Sequence, residues 1–333
     1  MWINELFPKD AGEVRSWPVA ELLAPHAHTV ALHAAANQFR EHSSRLLNQV
    51  AVWYQAKAQH HAAEPLMRQA LALAEAAYGD KHPIVAIALN NLADLLQDTN
   101  RLKEAEPLMY RALAIDEVAF GPKHPNTATR LNNLAQLLRD TNRVTEAEPL
   151  LVRVVEILQN KGGDPYPNFG AAMNSLALLL QDTNRPAEAE SLYRRAIAFD
   201  EDLFGPEHPS VANRLNNLAT LLHANNRLTE AEPLMRRGLG IEEKSKGKDH
   251  PHVAILLSNL AQLLRDDNRL PEAEPHMRRM LEIFVSYTCR TGHSHQNMQT
   301  GISNYRIILT EMGDTQDEAD QKINKIIAPL HGQ

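Results

Sequence analysis

The chain has 333 residues, 44% of them hydrophobic and only 5% aromatic, with a net charge of −7. That acidic balance argues against a dedicated nucleic-acid binder, and no apolar run approaches the ~18 residues of a transmembrane helix. A single cysteine, Cys289, cannot close an internal disulfide and points to a reducing, cytoplasmic setting, and the N-terminus lacks the basic start and apolar run of a signal peptide.

Length alone would suggest two domains, but an internal repeat replaces that reading with one elongated solenoid. Leu89-Asn90-Asn91-Leu92-Ala93 recurs as Leu131-Asn132-Asn133-Leu134-Ala135 and Leu215-Asn216-Asn217-Leu218-Ala219, with weaker copies at Met173–Ala177 and Leu257–Ala261 and an outlying one at Leu47–Ala51. Adjacent copies are 42 residues apart, the mark of a stacked array.

Residues 1–41 precede the first full unit. Pro18 to about Ala36 reads as a helix with Val19, Leu22, Leu23, Val30 and Leu32 apolar, and Trp2, Leu6, Phe7 and Trp17 are available to pack beside it. This segment is expected to cap the open end of the stack; a remnant of an upstream domain is the alternative. Six units follow, at 42–83, 84–125, 126–167, 168–209, 210–251 and 252–293.

The second unit serves as the pattern. Helix A runs from Ile84 to about Asp98, with Leu89, Leu92, Ala93 and Leu96 on one face at helical spacing. Asn100 suits the left-handed position after a helix. Helix B spans about Leu102 to Ala119, with Ala105, Leu108, Met109, Ala112 and Leu113 inward, and Gly121-Pro122 ends it. His124-Pro125 then opens the next helix A. Proline suits the first helical turn and pushes the preceding residue to extended φ/ψ, as an N-cap requires. His82, His124, His208 and His250 are therefore expected at helix starts, with Tyr166-Pro167 as the fourth-unit version. Pro65, Pro107, Pro149, Pro233 and Pro275 fall just past the first turn of helix B and should bend it slightly. Asp98/Arg101, Asp140/Arg143, Asp182/Arg185 and Asp266/Arg269 recur across the break and are expected to pair locally. Residues 294–333 form a degenerate C-terminal capping repeat, with Ala319, Ile323, Ile326 and Ile327 on the face of a last helix.

Ala105-Glu106-Pro107-Leu108, Arg111-Ala112-Leu113, Gly121-Pro122-Lys123-His124-Pro125 and the Leu-Asn-Asn-Leu-Ala run resemble the tetratricopeptide (TPR) repeat in its 42-residue form, the kinesin light chain repeat, and in particular bacterial light-chain-like proteins. The resemblance covers about 42–290 and implies an all-α, right-handed TPR superhelix. The heptad segment that joins a light chain to its motor is missing, so no motor role follows. Met1–Val30 also resembles the joint between NB-ARC-type ATPase domains and their repeats, without any phosphate-binding glycine loop.

No catalytic constellation breaks the repeat. His26, His28, His33, His60 and His61 miss the i, i+4 spacing of a helical metal pair, His293 and His295 fall at a helix start, and Cys289 has no Cys/His/Asn signature. No cofactor, metal, membrane or nucleic-acid partner is expected. In the resembled fold helix A lines the concave groove, and its residues grip an extended peptide. That implies Asn90, Asn132, Asn174 and Asn216, then Asn133, Asn217, Asn259, Gln136 and Gln262, as a ladder of amides for a ligand backbone; sealing the seam between helices is the structural alternative, favoured for the second asparagine of each pair. Arg139, Arg265, Arg130 and Arg214 point to an acidic ligand residue. The function read from this is a non-catalytic scaffold that binds a disordered acidic protein segment. The alternatives are the sensor or oligomerisation arm of a bacterial NB-ARC-type signalling or defence ATPase and, third, an enzyme. The partner's identity and the oligomeric state are not written in the repeat.

Overall fold

The computed structural model describes residues 7–8, 17–36, 39–160, 163–292 and 294–331. Trp2, Leu6 and His293, and the side chains of Trp17 and Leu32, lie outside the described set. The described residues are all-α, in the order α1 (Trp17–Ala36), α2 (Arg40–Ala56), α3 (His60–Tyr78), α4 (Pro83–Asp98), α5 (Leu102–Phe120), α6 (Pro125–Asp140), α7 (Val144–Gln159), α8 (Phe169–Asp182), α9 (Pro186–Phe204), α10 (Pro209–Ala224), α11 (Leu228–Lys246), α12 (Pro251–Asp266), α13 (Leu270–Thr291), α14 (Met298–Glu311) and α15 (Gln316–Ile327). They fall into two compact units, Met1–Tyr166 and Pro167–Gln333.

Within each unit every helix packs against the next, and helices α2 and α4, like α10 and α12, also touch as consecutive A helices. Leu89, Leu92, Ala93 and Leu96 are buried on helix A, and Ala105, Met109 and Ala112 on helix B. Ala93, Ala105 and Ala112 are fully buried; their small side chains let the helices approach closely.

The boundaries follow from the repeated residues. His82, His124, His208 and His250 are N-caps with extended φ/ψ, each followed by Pro in the first turn. Each accepts through Nδ1 from the backbone N–H two residues on, at 3.1–3.3 Å. The imidazoles also stack on the last aromatic residue of the preceding helix B, Tyr78 on His82, Phe120 on His124 and Phe204 on His208. Helix α8 departs from this pattern: with tyrosine in place of histidine the helix starts at Phe169, and its N-cap Asn168 makes no side-chain cap bond. Tyr166-Pro167 therefore does not reproduce the cap, because the phenol ring offers no acceptor at the Nδ1 position.

Asn100, Asn142, Asn184, Asn226 and Asn268 all take φ of 58–61°. Arg101 N–H reaches Leu96 O at 2.7 Å and Asn100 N–H reaches Gln97 O at 2.9 Å, the paired bonds of a Schellman ending. Helix B instead stops at Gly121, with φ 93° and ψ 161°, a backbone region open in practice only to glycine.

The expected Asp98/Arg101 and Asp140/Arg143 pairs are corrected by the structure. Arg101 forks onto Glu104 and sends its third nitrogen to Glu64 of the preceding unit at 2.7 Å. Arg143, Arg227 and Arg269 repeat this with Glu146 and Glu106, Glu230 and Glu190, and Glu272 and Glu232. The planar guanidinium serves two carboxylates at once, which no single Asp could match. Asp98 accepts instead from Gln55 at 2.6 Å and Asp140 from Gln97 at 2.6 Å.

Helix α1 buries Ala20, Ala24, Ala27 and Ala31, whereas Val19, Leu22 and Val30 face outward. The alanines rather than the bulky residues make the contact, because helix α1 lies close against α2. Phe7 is buried. At the other end, Thr315 and Glu318 form a capping box for α15, which buries Ala319 and Ile323.

Candidate peptide-binding face

Consecutive A helices are joined through their asparagines. Asn91 donates to Asn48 at 3.0 Å, Asn133 to Asn90 at 2.8 Å, Asn217 to Asn174 at 2.8 Å and Asn259 to Asn216 at 2.9 Å. The second asparagine of one copy thus donates to the first of the preceding copy. Asn90 passes the chain on to Asp94 at 2.8 Å. Asn90 and Asn174 are buried; Asn132, Asn133, Asn216, Asn217, Asn259, Gln136, Arg139, Gln262 and Arg265 are half-buried. Gln136 and Gln262 donate to Asp140 and Asp266 one helical turn on.

Asn132 stands apart. The following copy carries Ser175 where the donating asparagine would be, and Asn132 has no hydrogen-bond partner among the described residues.

The four arginines divide into kinds. Arg130 pairs with Asp116 at 2.8 Å and Arg214 with Asp200 at 3.3 Å; the carboxylates are 1% exposed and the guanidiniums 12% and 13%. Arg265 pairs with Glu311 at the surface, both about a third exposed, and Arg139 also has an interaction of its own. An exposed pair such as Arg265–Glu311 is worth about 0.2–1 kcal/mol and can be exchanged for a ligand carboxylate. A buried pair cannot be opened so cheaply.

Asp116 and Asp200 were not singled out from the sequence. The signal was present: their repeat position is held by Ala74, Asp116, Leu158, Asp200, Glu242 and Phe284 in turn, so a charge breaks the period three times. Burial pushes the Asp200 carboxyl up, against the pull of Arg214. Glu242, fully buried, is held low by His252 and Lys246 even though burial works the other way.

Asp94 lies on the same face as the asparagines. Burial, and then the neighbouring Asp98 charge, push its carboxyl from 3.8 to about 6, against Arg130 and the Asn90 hydrogen bond. A carboxyl that holds its proton more tightly when folded loses stability as the pH rises from 3.8 towards 6. The full penalty stands above about pH 6 and is absent below 3.8. Asp94→Asn should therefore stabilise the chain by about 1–2 kcal/mol at pH 7.5 and by nothing near pH 3.5. Urea midpoints at the two pH values check this, and equal midpoints at pH 7.5 would contradict it.

Among the described residues no group of three His, Cys, Asp or Glu side chains could hold a metal ion, and no helix is long and apolar enough to cross a membrane. His295 caps the turn before α14, accepts from the Asn297 N–H at 3.2 Å and stacks on Phe284.

Comparison with known proteins agrees with this architecture. The chain is similar over 62% of its length, at 27% identity and a TM-score of 0.52, to 99% of a Podospora anserina kinesin light chain protein of nearly identical TPR-like repeats. It is similar to BtubC (BKLC) from P. vanneervenii at 19% identity and a TM-score of 0.54, over 74% of this chain and 93% of that one. A Rap protein complexed with competence and sporulation factor shares the fold at 13% identity and a TM-score of 0.56, over 86% and 77%. No curated protein matches the chain. A family model of the tetratricopeptide repeat matches residues 42–117, 85–160, 168–244 and 215–284, most of the chain, and with helix pairs that recur at the same period the protein belongs to the tetratricopeptide repeat family.

Proposed function

We propose that the A-helix face is a non-catalytic docking surface in the cytoplasm for an extended segment of another protein. The observation that carries this is Asn132, a half-buried amide on the face with no intramolecular bond among the described residues. An amide offers one acceptor and two donors, which suits the backbone of an extended ligand whatever its side chains. A neighbour of the same fold, a Rap protein, was solved complexed with competence and sporulation factor. A-helix stripes lie about 10 Å apart and an extended chain advances about 3.3 Å per residue, so each repeat reads about three ligand residues. Arg265 and Arg139 supply the preference for an acidic residue. Arg130 and Arg214 already hold buried carboxylates and act by lining the face.

Peptides selected from a random library on the full chain test this. Asn132→Ala breaks no intramolecular bond, so it should weaken binding about 2–10-fold with the helical circular dichroism unchanged. Asn216→Ala also strips Asn259 of its acceptor and should weaken binding further. Arg139→Glu with Arg265→Glu should remove any preference for acidic residues. Selected peptides that bind all the variants equally would place the ligand elsewhere.

One observation favours the second reading, an arm of an NB-ARC-type signalling or defence ATPase: Val19, Leu22 and Val30 are 51%, 75% and 38% exposed on one helix. A capping helix would be expected to turn polar residues outward. If Leu22→Glu leaves both solubility and partner capture unchanged, that reading loses its support.

A further inference from the structure

Between the start of α4, the end of α5 and the start of α6 lies a pocket of about 160 Å³, close to the ~150 Å³ cavity that admits a benzene-sized group. Ile87 and Phe120 wall it, 47% and 39% exposed. Asn126 and Thr129 form the rim, and Asp116 and Arg130 the floor. Asp116 is 1% exposed. One of its oxygens takes the Arg130 Nε–H at 2.8 Å. The other, Oδ1, is buried with no hydrogen-bond partner among the described residues. A buried carboxylate oxygen without a donor is costly and rare.

The hydrogen bonds already made around the pocket select the ligand. The first turns of α4 and α6 would attract an anion, but His82 and His124 already take the Ile84 and Asn126 amides. The Ile84 and Asn126 amides are thus taken, while Asp116 Oδ1 remains an acceptor without a donor among the described residues.

We propose that this pocket seats a basic side chain of the docked segment, its aliphatic stem on Ile87 and Phe120 and its cationic head at Asp116 Oδ1. The assignment rests on the docking function proposed above and adds to it a specificity pocket opposite in charge to the arginine positions. Asp200, Phe204 and Arg214 repeat the floor and one wall in the second unit, but Ala171 stands where Ile87 does. The second copy therefore lacks the taller apolar wall, and the first is the stronger site.

The experiment titrates N-acetyl-lysine methylamide, its norleucine counterpart of similar stem without the charge, and its glutamate counterpart into the full chain. Backbone amide shifts of Asn126 and Thr129 are followed. The lysine compound should bind about five-fold or more tighter than norleucine, and glutamate should not bind. Asp116→Asn should abolish the preference. Ile87→Trp should block the site from the exposed rim without touching the ion pair, so a loss there is not a folding failure. Equal binding of lysine and norleucine, tighter binding of glutamate, or shifts confined to other residues would overturn the assignment. If selected peptides weaken on Asn132→Ala but carry no enriched basic residue and ignore Ile87→Trp, the pocket falls and the face stands. If the lysine compound binds as expected while no peptide responds to Asn132→Ala, the face falls and the pocket's preference for a cation stands.

Discussion

Ala177→Arg should be among the most damaging single changes in the chain, costing at least about 4 kcal/mol. Ala177 is fully buried on α8, as are Ala51, Ala93, Ala135, Ala219 and Ala261 at the same repeat position. Helix α8 packs against α9 there, and a close crossing has no room for a long side chain. Arginine would bring both volume and an unpaired charge into the seam. Because each repeat buries its apolar face only against its neighbours, the damage should be local. Thermal melting should split, with Pro167–Gln333 unfolding first and Met1–Tyr166 later. Circular dichroism combined with hydrogen exchange resolves the two halves. A single transition at the wild-type temperature would contradict the close A/B packing and the nearest-neighbour coupling.

Asp116→Ala should cost about 3–5 kcal/mol, because it leaves Arg130 buried without its counter-charge. The second change, Arg130→Ala, should recover most of that loss. The same junction between the first and second repeats is made with Ala74 and Ala88, both buried, so the fold tolerates the apolar version of the pair. The coupling in a double-mutant cycle should therefore be at least about 2 kcal/mol. Urea unfolding of the four proteins measures it. Additive effects of the two single changes would mean that the pair is not a unit.

The helices were legible because their boundaries are repeated chemistry. Asn100 and its four equivalents need the left-handed region, and His124 needs extended φ/ψ before Pro125. The asparagine recurs at 42-residue spacing from Asn100 to Asn268 and the histidine at His82, His124, His208 and His250, which multiplies a weak local preference into a firm one. The alanine face of α1 was not legible, since hydrophobicity ranks Val19 and Leu22 above Ala20 and Ala24, whereas close packing against α2 favours the smaller residues. The asparagine ladder was only half legible. Its bonds link residues 43 apart, Asn133 to Asn90, one step off the 42-residue register, so reading down equivalent columns does not reveal them. The arginine at the helix break was misassigned for a related reason. Asp98 is near Arg101 in sequence but is engaged by Gln55, whereas Glu64, 37 residues away, is the partner in space. The Asp116–Arg130 pair shows in the sequence only as a charge that breaks the period, and its burial is what sets it apart.

The ligand is proposed to lie along the A helices. Hydrogen–deuterium exchange of the full chain, with and without a selected peptide at saturation, tests it most directly. Slowed exchange is expected at the residues that flank Asn132 on α6, and on α4, α10 and α12, with α5, α7, α9 and α11 little changed. Protection confined to the B helices, or to α1 and α15, would contradict the account.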